Sequence, residues 1–157
     1  MLEEIGGEID AALDTLRALA LGIYPPLLEE QGLAPALAAQ YVRSGLPVHM
    51  DAEATARYPI EIEAAVYFAA LEALQNAAKH AKAKEIAITI RPADGELRFS
   101  VRDDGVGFDP ALTGQGSGLA GIRDRLAVFG GDATIESAPG KGTVVRGRVP
   151  ISGGRVR

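Results

Sequence analysis

The sequence predicts an α+β fold, a layered sandwich of helices and hairpin-linked strands. Three observations predict it. The chain has 157 residues, 47% of them hydrophobic and 24% charged, which suits a single globular domain with its own core. Helical and strand periodicities follow one another in the order α, α, β, α, β, β, loop, α, β, β. Consecutive strands are joined by short turns, which argues against a parallel, doubly wound sheet.

The first helix is predicted over residues 2–23, where apolar side chains recur at steps of three and four. Pro25 and Pro26 end it, because the residue before a proline disfavours the helical conformation. Such a seam needs a covering helix, either from the same domain or from a helical bundle shared with another chain. The seam positions are Leu2, Ile5, Ile9, Ala12, Leu16, Leu19 and Ile23.

The middle of the chain is predicted to alternate between helix and strand. A second helix is expected from about Leu27 to Arg43, with Gly32 near its start, and a short strand at Leu46–Met50. Pro59 can open a long helix that runs to about Ala81, because proline suits the first helical position.

The second half of the chain is predicted to be mostly strands. Alternating residues at Lys84–Arg91 and Glu96–Asp103 predict two strands, and the Asp94-Gly95 pair between them is a hairpin signal. Residues 103–121 include six glycines and form a loop. One helix and two further strands complete the domain, at Leu119–Phe129, Asp132–Glu136 and Thr143–Val149.

Composition excludes several classes of function. There is no cysteine, so disulfides and cysteine-ligated zinc are excluded, and two histidines are too few for a histidine metal site. A net charge of −5 argues against a nucleic-acid partner, which would need a basic surface. No apolar run reaches the ~18 residues of a membrane span, and the N-terminus lacks a secretory signal pattern.

Two places on the predicted fold carry candidate chemistry. The first is a polar stripe on the long helix, formed by Glu72, Asn76, Lys79 and His80, which lie within about 100° of one another. The stripe either faces water or lines a site, where an acid and an amide one turn apart can organise Mg²⁺ and the basic residues can meet phosphates.

The second place is the end of a strand, where Asp103 keeps the register of buried residues and should point inward. A buried carboxylate needs donors, and the following Gly105 and Gly107 let a ligand approach the backbone. This arrangement suits a base with an exocyclic amine, although an aspartate can also simply cap a turn. Thr143 keeps an inward register and is expected to reach the same pocket.

The segment Gly116–Gly121 matches G-x-G-x-x-G, but no strand precedes it, so a Rossmann fold is rejected. A glycine-rich turn that opens a helix presents free N–H groups and a positive dipole end to an anion, most plausibly phosphate.

Four segments resemble, in order and spacing, the motifs of histidine-kinase ATP-binding domains. Glu72–Ala81 resembles the N-box, and Asp103–Phe108 resembles the first glycine box, D-x-G-x-G. Gly116–Arg123 resembles the second glycine box, and Gly142-Thr143 the third. The Asn-x-x-Lys-His form and the Gly-Leu-Ala-Gly-Ile-Arg run are similar to the nitrate-sensor subfamily, which pairs with helix-turn-helix response regulators. The resemblance covers residues 8–150.

The resemblance implies a role for each matching residue. Asp103 would accept a hydrogen bond from the adenine N6 amine, and Thr143 would assist through water. Asn76 would ligate Mg²⁺, and Glu72 would be the nearby acid, acting as a base or organising the metal. The other positions would contact the nucleotide, with the two basic residues along the phosphates: Lys79, His80, Gly105, Gly107, Gly116, Gly118, Leu119 and Gly121.

The implied fold is the Bergerat-type sandwich shared with gyrase and the mismatch-repair ATPases, a mixed sheet with helices on one face. Residues 1–24 would be the C-terminal part of a dimerisation helix, 25–150 the ATP-binding catalytic domain and 151–157 a tail. The full kinase would be a homodimer, either free or anchored to a membrane, with this domain in the cytoplasm.

The implied activity is transfer of the ATP γ-phosphoryl group to a histidine on an upstream dimerisation domain. His49 lies on a predicted strand and His80 in the N-box, so neither suits the acceptor. The chain is therefore expected to be a catalytic fragment that binds ATP and Mg²⁺ without phosphorylating itself. Tyr24 stands where the resemblance leads us to expect His or Arg.

Two alternatives have a similar fold. One is an anti-sigma-type switch kinase that acts on a partner's serine, and the other is a nucleotide-binding module without catalysis. The seam helix and the Lys79-His80 pair favour the histidine kinase over the first. The presence of both Glu72 and Asn76 speaks weakly against the second.

Overall fold

The computed structural model describes residues 24–52, 56–80, 82–109 and 117–151. The predicted seam helix over residues 2–23 and the tail from residue 152 lie outside the described residues. The helices are α1 (Pro26–Gln31), α2 (Leu33–Ser44), α3 (Ile60–His80) and α4 (Ser117–Ala127), and the strands are β1 (Val48–Ala52), β2 (Ile86–Ala93), β3 (Glu96–Asp103), β4 (Asp132–Ser137) and β5 (Thr143–Pro150).

The five strands form one mixed sheet in the order β1-β2-β3-β5-β4. β1 runs parallel to β2, and every other neighbouring pair is antiparallel. The β2–β3 hairpin turns at Asp94 and Gly95, whose φ angles of 53° and 75° match the twist of the strands. The predicted hairpin and the α+β class are therefore confirmed.

One face of the sheet carries the core. Alternate residues of the central strands are buried, among them Ile88, Leu97 and Val149, and the helices α3 and α4 pack against them. The other face carries exposed residues such as Arg98 and Arg148. This two-layer arrangement packs α3 against β3 and β5. Across the described residues, no helix has the length and apolarity needed to cross a bilayer.

The single helix predicted from Leu27 to Arg43 is wrong, because the chain forms two helices that meet at Gly32. This glycine has φ +97° and ψ −171°, which an α-helix cannot contain. A side chain there would also bring its Cβ within 3.0 Å of the Arg57 side chain. The break turns α1 back across the start of α3.

The other predicted elements shift by only a few residues. β1 begins two residues later than expected, at Val48. α4 begins at Ser117 instead of Leu119, so Gly118 belongs to its first turn. β3 has the predicted bounds, Glu96–Asp103.

Candidate functional site

Asp103 ends β3 on the buried face and is 8% exposed, as its register predicts. Burial raises the pKa of its carboxyl, and hydrogen bonds from the backbone N–H groups of Gly105 and Thr143 oppose that rise. The Gly105 N–H donates to Oδ1 at 2.9 Å. Thr143 lies directly opposite Asp103 on β5, with its side chain half-buried. Two polar side chains therefore share one corner of an otherwise apolar layer.

The loop after Asp103 interlocks with the loop before Thr143. The Gly140 N–H donates to the Val106 carbonyl oxygen at 2.6 Å. Gly107 has φ +63°, and a Cβ on it would collide with the Ala138 carbonyl oxygen. The predicted glycine positions thus let two backbone segments meet at the mouth of the corner.

Ser137 joins these two loops and was not identified from the sequence. Its hydroxyl oxygen lies 2.9 Å from the Phe108 nitrogen, 2.9 Å from the Gly142 carbonyl oxygen and 2.9 Å from Thr143 Oγ1. It stands at the end of β4 opposite Thr143, in the inward register of Ala133 and Ile135, and this alternation is the signal that could have found it.

Glu72 and Asn76 lie one turn apart on α3, and both are half-buried. The carboxylate of Glu72 forms an ion pair with Arg125 of α4, and the two side chains are 22% and 14% exposed. Gly121 lies beside the same carboxylate, since a Cβ on it would be 3.5 Å from Glu72 Oε1. The absence of a side chain at Gly121 lets α4 approach Glu72.

Arg125 was also missed from the sequence. It lies four residues after Gly121, on the same face of α4, so the helical period is the signal that could have found it. Because the Arg125 guanidinium forms an ion pair with the Glu72 carboxylate, Arg125 fixes the position of α4 relative to the polar stripe of α3.

The predicted site residues lie on elements that contact one another. Glu72 and Asn76 lie on α3, Gly121 lies on α4, and Asp103 and Thr143 lie on β3 and β5; α3 contacts each of the other three elements. Gly118 lies in the first turn of α4. The side chains of Lys79, His80 and Leu119, and all of Gly116, lie outside the described residues.

A groove of about 500 Å³ lies on the opposite face of the sheet and includes Arg91, Arg98, Arg146 and Arg148 in its lining. Each of these arginines is paired with a nearby acid of the same surface. The groove is therefore an ion-paired surface, separate from the Asp103 corner.

A magnesium ion fits the chemistry of the α3 stripe. Among the described residues there is no group of three His, Asp or Glu side chains that could enclose a metal. Mg²⁺ that accompanies a nucleotide needs only one or two protein oxygens, because phosphates and water supply the others. The Asn76 amide oxygen is one such ligand, and Glu72, whose carboxylate pairs with Arg125, is the nearby acid.

Comparison with known proteins agrees with this geometry. Residues 61–153 match the family described as histidine kinase-, DNA gyrase B- and HSP90-like ATPases. The chain is 31% identical to the sensor histidine kinase MctS of Rhizobium johnstonii, over 94% of this chain and 34% of that protein. It is also 31% identical to the oxygen sensor histidine kinase NreB of Staphylococcus carnosus, over 96% of this chain and 45% of that protein. The chain spans less than half the length of both relatives.

Two solved structures share the fold. The blue-light activated histidine kinase of Erythrobacter litoralis EL346 matches with a TM-score of 0.70 and 21% identity, over 95% of this chain and 50% of that one. The Acinetobacter baumannii histidine kinase AdeS matches with a TM-score of 0.62 and 16% identity, over 95% of this chain and 80% of that one.

Proposed function

The chain belongs to the histidine kinase-, DNA gyrase B- and HSP90-like ATPase family as a histidine-kinase ATP-binding catalytic domain, and we propose that it transfers the γ-phosphoryl group of Mg-ATP to a histidine on an upstream dimerisation domain. The observation that carries this proposal is the buried Asp103 carboxylate beside a glycine loop. An inward carboxylate suits recognition of the adenine amine, because that amine can donate to it.

We assign the adenine to the Asp103 corner. The carboxylate accepts the N6 hydrogen bond, and Thr143 helps directly or through one water. The Gly105–Gly107 loop follows Asp103 directly and carries one side chain, that of Val106, so the backbone beside the corner is open to a ligand. This assignment uses the carboxylate in its ionised form, which burial disfavours in the free protein.

We assign the phosphates and the metal to the α3 stripe and the start of α4. Asn76 would hold Mg²⁺, and Glu72 would organise the metal's water or accept the proton of the attacking imidazole. Lys79 and His80 would lie along the phosphates. The start of α4, with its N–H groups, would face the terminal phosphates, assisted by Gly116, Gly118, Leu119 and Gly121.

The reaction needs positioning more than covalent chemistry from the protein. A nitrogen of the neutral acceptor imidazole attacks the γ-phosphorus, the N–P bond forms, the bond to the β–γ bridging oxygen breaks, and ADP leaves with that electron pair. The imidazole proton passes to a base. When bound, Mg²⁺ supplies neutralisation of the phosphate charge that develops in this step.

The partners follow from the same assignment. Residues 1–24 would be the end of a dimerisation helix and residues 25–150 the catalytic domain. The intact kinase would be a homodimer, and a response regulator of the helix-turn-helix type would receive the phosphoryl group. The relatives MctS and NreB are named sensor histidine kinases, which supports a signalling role.

Two measurements test the proposal. A γ-labelled ATP assay with a separate fragment that carries the upstream helix should label that fragment, and the label should be lost in acid, as phosphohistidine requires. Acid-stable label on serine would instead indicate a serine kinase. In titrations of ATP with Mg²⁺ and with chelator, Asn76→Ala should remove most of the Mg²⁺ dependence. If the wild-type ratio persists in the variant, Asn76 is not a metal ligand.

A further inference from the structure

The ion pair between Glu72 of α3 and Arg125 of α4 differs in burial from the other ion pairs of the described residues. Its two side chains are 22% and 14% exposed. In each of the other pairs at least one side chain is 44% exposed or more. Within the part of the chain that the structure describes, this is therefore the one pair in which both charges are largely withdrawn from water.

An ion pair withdrawn from water is a poor way to hold two helices together. Both charges lose hydration, and their mutual attraction does little more than offset that loss, so apolar side chains of similar size would dock α4 equally well. The same helix already buries Ile122 and Leu126, which are 1% and 0% exposed. The pair is better explained by what it does to the Glu72 carboxylate than by the docking of α4.

The α4 helix meets the Glu72 carboxylate at two points. Arg125 forms the ion pair, and Gly121 lies one turn earlier on the same helix. A Cβ built on Gly121 would be 3.5 Å from Oε1 and 3.6 Å from Oε2 of Glu72, so both oxygens lie against the α4 backbone. A largely buried carboxylate without a cationic partner would turn toward water, because an unpaired buried charge is costly. Arg125 therefore keeps this carboxylate in place under α4.

Both roles that the proposed function leaves open for Glu72 need a fixed carboxylate. A base must point at the proton of the attacking imidazole, and an organiser of the metal's water must point toward Asn76. The Arg125 guanidinium cannot do either task itself, because it keeps its protons and has no acceptor atom. Any contribution of Arg125 to these two tasks is made through Glu72.

We propose that Arg125 is a positioning residue for phosphoryl transfer, which holds the Glu72 carboxylate in its working orientation and makes the transfer step depend on how α4 docks on α3. The proposal rests on the proposed kinase function and deepens it. Because α4 begins at Ser117, in the segment assigned to the phosphates, the helix that meets the phosphates is also the helix that orients the acid.

The test measures two quantities, the rate of label transfer from γ-labelled Mg-ATP to the fragment that carries the upstream helix, and the affinity for ADP by calorimetric titration. Arg125→Gln should lower the transfer rate at saturating ATP by about 10- to 100-fold, the range found when a partner that orients a metal-site residue is removed. ADP affinity should change far less, because the Asp103 corner and Asn76 are unchanged. An arginine that only docked α4 would lower the affinity and leave the saturated rate intact, and that result would overturn the proposal.

Arg125→Lys provides an arm in which Glu72 is not left without a cation, so it does not depend on how Arg125→Gln folds. Lysine keeps the charge but replaces the planar fork of the guanidinium with a single ammonium, which holds a carboxylate less firmly. The melting temperature should stay near that of the wild type, while the saturated transfer rate should fall by about 3- to 10-fold, the worth of one hydrogen bond. A wild-type rate in both Arg125 variants would contradict the proposal.

The double variant Glu72→Gln with Arg125→Gln tests the route through Glu72. Its transfer rate should equal that of Glu72→Gln alone, because Arg125 then has no carboxylate to orient. Losses that multiply would mean that Arg125 acts elsewhere, for example on the phosphates, and would overturn the proposal. The double variant should also melt above Arg125→Gln, since no charge is left unpaired, without regaining the rate. A rate that recovers together with the melting temperature would make the pair purely structural.

Arg123→Gln is the matched control on the same helix. Arg123 pairs with Asp132 at 3.1 Å, but the two side chains are 48% and 46% exposed, so the loss of this pair should leave the rate, the ADP affinity and the melting temperature near the wild-type values. If the wild-type chain labels no fragment, the proposed function itself fails. If the wild type and Arg125→Gln label the fragment at the same saturated rate, only this inference fails.

Discussion

Asp103 and Asp104 are neighbours in the chain, yet the fold places their carboxylates in opposite environments. Asp103 points into the apolar layer, and burial raises the pKa of its carboxyl. Asp104 points to solvent, and its Oδ1 accepts the N–H groups of Lys84 at 2.8 Å and Glu85 at 3.1 Å. These bonds lower the pKa of Asp104.

Under the proposed function, Asp103 is the carboxylate assigned to a ligand, whereas Asp104 is one that stabilises the fold. Ionised Asp104 is stabilised by backbone donors at the start of β2, so its charge supports the native structure. Ionised Asp103 lies in a place where its charge disfavours folding, and a bound ligand that donates to it would compensate. A carboxylate held at a cost to stability is a sign of function.

The largest effect is expected for Asp103→Asn. The variant should bind ADP and ATP about 10- to 150-fold more weakly, because a charge-assisted hydrogen bond worth roughly 1.5–3 kcal/mol is lost. The unliganded variant should nevertheless melt at a higher temperature than the wild type at neutral pH, since it no longer buries a charge.

The increase in melting temperature expected for Asp103→Asn should depend on pH with a definite sign. The folded pKa of Asp103 lies above its ordinary value of 3.8, so the wild-type carboxyl is neutral in both states below pH 3.8 and costs nothing there. The cost develops as pH rises from 3.8 to the folded pKa and is complete above the folded pKa. The melting temperatures of variant and wild type should therefore converge in acid, and unchanged ADP affinity would remove Asp103 from the site.

A second buried carboxylate gives a matched case for stability. Glu63, at the start of α3, is fully buried and pairs with Arg57 at 3.1 Å. Arg57 also donates to the carbonyl oxygens of Leu28 and Glu29 near the end of α1. Unlike Asp103, whose hydrogen bonds come from backbone N–H groups, this carboxylate has a cationic partner, so it serves to fasten α1 to α3.

Glu63→Gln should lower the free energy of unfolding by about 1–2 kcal/mol, because glutamine keeps one acceptor but loses the charge. The melting temperature should fall by roughly 2–8 °C, with ADP affinity unchanged. Thermal unfolding and ADP titration measure both, and Glu61→Gln on the exposed side of α3 is the control. A loss of ADP affinity in Glu63→Gln alone would show that the start of α3 belongs to the nucleotide site.

The sequence was enough to predict features set by local periodicity. Asp103 could be placed because its inward direction depends only on the register of its own strand, and the β2–β3 hairpin follows from its two turn residues. Ser137, Arg125 and the role of Asp104 were missed, because each has at least one partner that is distant in sequence. Phe108 lies 29 residues from Ser137, and Glu72 lies 53 residues from Arg125.

The break at Gly32 was missed because a lone glycine near a helix end does not reveal its φ angle.

The smallest effect is expected for Asp104→Asn, and its sign opposes that of Asp103→Asn. Asparagine can still accept the two backbone N–H groups, but it loses the charge that strengthens them, so the melting temperature should fall slightly at neutral pH. The folded pKa of Asp104 lies below 3.8, so the stabilisation by its charge is fully present above pH 3.8 and is lost as pH falls through the folded pKa.

The two single variants, Asp103→Asn and Asp104→Asn, should thus shift the melting temperature in opposite directions at neutral pH and converge on the wild type in acid. ADP affinity should stay at the wild-type value in Asp104→Asn, because this carboxylate faces away from the corner. Shifts of the same sign in both variants would mean that the environments of the two aspartates do not differ as the structure indicates.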